Sequence, residues 1–89
     1  MVERSDEYII GRLIERSRLL IALSEEIPVE TKLQTQPMLK QLERALAVAP
    51  DEQDEGHVRA TYAALYNDLA DYADLEALLS ALKNFVPYL

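Results

Sequence analysis

The side chains of this chain that could do chemistry are sixteen carboxylates, one histidine, five tyrosines and scattered serines, with no cysteine among its 89 residues. The acidic loop Pro50-Asp51-Glu52-Gln53-Asp54-Glu55-Gly56 comes first, because Asp51, Gln53, Glu55, Gly56 and Val58 fall on the offsets of an EF-hand calcium loop. The closing offset, which requires a bidentate glutamate, holds Tyr62, and Gln53 lacks the charge of a good ligand. A solvated loop beside a helix start is the expectation, without calcium. His57 has no cysteine, second histidine or HExxH spacing to share a metal with. Ser5, Ser17, Ser24 and Ser80 carry no nucleophile-elbow motif, and no glycine-rich loop exists to cradle phosphate. The expectation is therefore a protein that is not an enzyme and takes no cofactor or metal.

Recognition chemistry is better represented. Tyr8, Leu19 and Leu23, with Arg12 and Arg16 nearby, lie on a helical face roughly 100° from the middle of the apolar stripe of the first helix. One reading makes that helix central, contacted from two sides. The other makes Tyr8, Arg12, Leu19 and Leu23 a partner-binding strip, since an aromatic, leucines and arginines are the composition of protein interfaces. Charge supplies a second candidate. Residues 1–27 carry a net −2, residues 28–50 a net +1, and residues 51–89 a net −6. Such a surface repels phosphate backbones, so direct nucleic-acid binding is not expected. It suits solubility, or an acidic inhibitor that covers the basic site of a nucleic-acid-binding protein or nuclease through Asp51, Glu52, Asp54, Glu55, Asp68, Asp71 and Asp74.

These residues must be positioned by helices. Ile9, Ile10, Leu13, Ile14, Leu20, Ile21 and Ile27 define a first helix that starts at Ser5 or Asp6 and is closed by Pro28. Residues 29–36 read as a connector, with room for a short turn of helix started by Pro28. Thr35 is the expected cap of a second helix, with Pro37 in its first turn, a stripe of Met38, Leu39, Leu42, Ala45, Leu46 and Ala49, and Pro50 as its stop. A third helix runs from about His57 to Ala70, the acids of the preceding loop being equally suited to its first turn, and a fourth, capped by Asp74, to about Val86. The stripe Val58, Tyr62, Leu65, Tyr66, Leu69, Tyr72 is rotated by roughly 120° from the stripe Leu75, Leu78, Leu79, Leu82, Phe85, Val86. One straight helix cannot bury both against one core, so the chain is expected to fold back near Asp71 to Asp74. Tyr62 and Tyr66, four apart, fit the core edge or a binding face equally well.

The outcome is one all-α domain over residues 1–89: a small four-helix bundle or helical array with a C-terminal antiparallel helical hairpin. With 49% apolar residues it can fold, although a chain this short hides only about 60% of its unfolded surface. The most apolar window, Tyr8 to Leu23, contains Arg12, Glu15, Arg16 and Arg18 and is neither a signal peptide nor a membrane span. Absence of cysteine suits a reducing cytoplasm.

The stretch Ala63-Ala64-Leu65-Tyr66-Asn67-Asp68-Leu69-Ala70-Asp71-Tyr72, continuing through Leu79 to Pro87, resembles one tetratricopeptide-type hairpin, with Arg59 and Leu75 departing from that pattern. Residues 72–79 also resemble the last helix of some death-fold-like adaptor modules. Both resemblances imply protein binding rather than catalysis. The expected function is a cytoplasmic, non-catalytic protein–protein interaction module (an adaptor, regulator or assembly subunit) whose partner is a protein, a second copy of the chain included.

Overall fold

The computed structural model describes the backbone of residues 2–89 and the side chains of residues 6–89. Among these residues the chain forms four α-helices and no strand: α1 (Val2–Leu23), α2 (Val29–Leu46), α3 (Glu55–Leu69) and α4 (Ala73–Leu82), with a short 3-10 turn at Pro50–Glu52. Each helix packs on two others: α1 on α2 and α4, and α3 on α2 and α4. The four stripes meet in one core built from Ile14, Ile21, Leu39, Leu42, Val58, Leu65, Leu69 and Leu79, all with no exposed surface, and their partly shielded neighbours. The apolar spacing read from the sequence is what this core uses.

Hydrogen bonds fix the register of the pairs α1–α2 and α3–α4. Between α1 and α2, Arg18 Nε donates to Gln36 Oε1 at 3.0 Å and Gln36 Nε2 to the Arg18 carbonyl at 2.8 Å. Further along, Lys32 Nζ donates to the carbonyls of Ala22 at 3.2 Å and Ser24 at 2.6 Å. Residue 18 thus pairs with 36 and residue 22 with 32, so the helices run antiparallel. Lys32 also places its charge at the negative C-terminal end of α1, whose last turn has no basic residue of its own.

Between α3 and α4 the Tyr62 hydroxyl donates to the Leu79 carbonyl, Tyr66 to Glu76, and the Tyr72 amide to Leu69. This is the expected antiparallel hairpin, with its turn at residues 70–72. Asp54 caps α3: its Oδ1 accepts the His57 amide at 3.1 Å, satisfying a first-turn donor.

Several boundaries differ from the sequence reading. The helix α1 begins by Val2, so Ser5 and Asp6 lie within it; the side chain of Ser5 is outside the described residues. It ends at Leu23 instead of Ile27, because Ser24 Oγ accepts the amides of Glu26 and Ile27 and turns the chain. The stretch 29–36 is helical, with Pro28 as the N-cap of α2, where its missing N–H costs nothing. Thr35 caps nothing: it is buried, and its hydroxyl donates to the Thr31 carbonyl at 2.7 Å. Pro37 sits in mid-helix, and the hydrogen bond it removes involves Leu33, four residues back on the same solvent face. Asp74 likewise lies in the first turn of α4, with Tyr72 at the cap position. The end of α4 comes at Leu82, since the Lys83 amide turns to the Ser80 carbonyl at 3.1 Å while Tyr62 holds that of Leu79.

Candidate functional site

The strip Tyr8, Arg12, Leu19, Leu23 lies on the face of α1 turned away from the core. Its apolar members are exposed, Tyr8 by 66%, Leu19 by 56% and Leu23 by 75%, and Arg12 and Arg16 are exposed too. Neither α2 nor α4 covers it, although α1 is contacted by both. The Arg12 guanidinium carbon sits 5.9 Å from the centre of the Tyr8 ring, holding these two residues together. On α2, Val29 and Leu33 are exposed as well, by 69% and 72%. The α1–α2 register places Leu33 level with the stretch between Leu19 and Leu23. Reading residues 29–36 as a connector hid Val29 and Leu33. The signal that finds them is their four-residue spacing directly after Pro28.

The exposed face of α1 has a second property. Its members Tyr8, Arg12, Glu15, Arg16, Leu19 and Leu23 are separated by 4, 3, 1, 3 and 4 residues. The series reads the same from either end, about a midpoint between Glu15 and Arg16. Two such faces laid antiparallel about that midpoint bring Tyr8 onto Leu23, Arg12 onto Leu19 and Glu15 onto Arg16, twice each, as the two-fold symmetry of such a pairing dictates.

The acids of the alternative reading fall into two groups along the α3–α4 hairpin. Asp51, Glu52, Asp54 and Glu55 surround the start of α3, with Asp54 engaged as its cap. Asp71 and Asp74 are exposed at the α3–α4 turn. The 15 residues of α3, about 22 Å of helix, separate the two groups. Asp68, half-buried, belongs to the turn end.

The tyrosines of the hairpin are structural. Tyr62 and Tyr66 stack with ring centres 6.1 Å apart. Burial, followed by the nearby charges of Tyr66 and Glu76, pushes the Tyr62 phenol up from 10.0 to about 12. Tyr66 donates to Glu76 Oε2 at 2.7 Å and Ser80 Oγ to the same oxygen at 2.8 Å. These bonds, that from Tyr66 first, hold the Glu76 carboxyl below its ordinary value, and the Tyr66 phenol is raised in return. The residues on calcium-loop offsets have other work as well: Gln53 bonds backbone carbonyls and Tyr62 is in the core.

No family model, curated protein or solved structure matches the chain. Among the described residues no helix is long and apolar enough to cross a membrane, and no group of three metal-ligating side chains comes together.

Proposed function

We propose that the chain is a helical protein-contact module that works through the outer face of α1, and that its partner is a second copy paired antiparallel along that helix. The observation that carries this reading is the exposed, symmetric series Tyr8, Arg12, Glu15, Arg16, Leu19, Leu23. Pairing about its midpoint buries two tyrosines and four leucines and matches two Glu15–Arg16 pairs. At about 1.5 kcal/mol for each large apolar side chain removed from water, the gross gain is about 9 kcal/mol. Lost translational and rotational freedom offsets about 4 kcal/mol or more of it, so the dimer is expected to be weak, with a dissociation constant of a few tenths of a millimolar or above. An interface formed and released at such concentrations suits an assembly or regulatory role.

Sedimentation velocity over a concentration series tests the reading. The unaltered chain should shift from monomer to dimer, and the double substitution Leu19→Asp with Leu23→Asp should remain monomeric with its helical circular dichroism intact. Glu15→Arg should weaken the dimer by setting arginine against Arg16 of the other copy. Arg16→Glu added to it should restore association, because the pair is then reversed rather than broken. A chain monomeric at every accessible concentration, or a double aspartate variant that still dimerises, contradicts the proposal.

A further inference from the structure

At the end of the bundle away from Leu23, the chain's last residues and the N-terminal half of α1 enclose a half-open cleft of about 710 Å³. That volume falls in the range of small-molecule sites, which are clefts of roughly 300–1,000 Å³ with apolar walls and few polar groups. Ile10, Leu46, Val48, Phe85 and Val86 supply apolar wall. Asp6, Glu7 and Glu55 line the same cleft, and among the described residues no lysine or arginine does.

One wall is tied in place without a ligand. Gln53 Nε2 donates to the carbonyls of Leu46 at 3.4 Å and Val48 at 3.2 Å, while its Oε1 accepts the Tyr88 hydroxyl at 2.6 Å. This single side chain therefore links the end of α2, the acidic loop and the C-terminal segment. Preformed walls lower the ordering cost of binding. Burial first, then the charge of Glu55, raises the Tyr88 phenol, with Arg59 opposing and Asp54 adding to the rise.

We propose that this cleft binds a small organic cation, an ammonium or amidinium group carried on an aromatic or branched apolar body. The body fills the space between Ile10 and Phe85 and the charge lies among Asp6, Glu7 and Glu55. Exposed carboxylates attract a cation only modestly in water, but three of them act together on a cation and against an anion. A discrimination of about tenfold between two ligands that differ only in charge is expected.

The test uses three probes with one aromatic body: 1-naphthylmethylamine, 1-naphthylmethanol and 1-naphthylacetate, titrated into the full chain and followed by amide and methyl NMR shifts. The amine should saturate shifts of Ile10, Val48 and Phe85, and the acetate should bind about tenfold more weakly. Asp6→Asn, Glu7→Gln and Glu55→Gln combined should bring the amine to the affinity of the neutral alcohol. The Leu19→Asp, Leu23→Asp chain should bind the amine unchanged, which separates this site from the α1 contact face. Equal binding of amine and acetate, shifts confined to other surfaces, or a charge preference that survives the triple substitution would overturn the proposal.

Discussion

Tyr62→Phe is the substitution whose cost can be worked most fully from the structure. Tyr62 is 6% exposed, and its hydroxyl donates to the carbonyl of Leu79 in the last turn of α4. The Lys83 amide, which would reach Leu79 if the helix continued, bonds Ser80 instead. Phenylalanine fills nearly the same volume but removes the hydroxyl donor from that buried carbonyl, at a cost of about 1.5 kcal/mol. For a chain of this length the melting temperature should fall by about 6–12 °C.

The pH dependence supplies a second check on the same substitution. The Tyr62 phenol is neutral in both states below its ordinary value of 10.0. Above it the unfolded chain loses the proton, while the folded chain keeps it until about 12. The contribution is therefore fully present below pH 10 and is lost as pH rises to about 12. Two units correspond to at most about 2.7 kcal/mol. Urea denaturation of both chains from pH 8 to 12 should show the tyrosine chain ahead at pH 8 and its lead closing above pH 10. Equal stability at pH 8, or a lead that is constant through pH 11.5, refutes the assignment of this hydroxyl.

Two other substitutions probe the remaining polar ties. Asp54→Ala removes the cap of α3 and should cost about 1 kcal/mol in urea denaturation, with Asp54→Ser recovering most of it. Glu76→Gln should lower stability at neutral pH, because the carboxylate accepts from both Tyr66 and Ser80. Glu76 is held below its ordinary value of 4.5, so its contribution is present above that pH and is lost as pH falls through the folded value. The two chains should differ at pH 7 and converge at low pH; a gap that persists in full at pH 2 would contradict the sign.

The core was legible in the sequence because burial repeats every three or four residues, and Ile14, Leu42, Leu65 and Leu79 sit where that period puts them. The hairpin was legible for the same reason, since a change of face within a helical run demands a turn. Capping was less so. Pro28 both ends one helix and begins the next, and proline's two meanings cannot be separated from local sequence. Thr35 has the residue type of a cap, yet its methyl and internally bonded hydroxyl are sufficiently apolar together to be buried. Asp74 offered a cap by type, while the turn fell at residues 70–72, where tertiary packing of α4 on α1 sets the direction.

The exposed face of α1 was only half legible. Tyr8, Leu19 and Leu23 stood out as apolar residues off the core stripe, but exposure follows from which neighbours a helix has, and that is a property of the assembled bundle. Val29 and Leu33 were invisible until residues 29–36 became helix. The cleft beside Phe85 is assembled from four separate parts of the chain and leaves no periodic signal in any one of them.

The most direct measurement of the central claim is the nuclear Overhauser contact between the Tyr8 ring and the Leu23 methyl groups in the dimer. Within one copy Tyr8 and Leu23 are 15 residue steps apart, about 22 Å of helix, far beyond the reach of that effect. A cross-peak that grows with protein concentration and vanishes in Glu15→Arg is the result the antiparallel pairing predicts. Its absence in a sample shown by sedimentation to be dimeric would contradict that pairing.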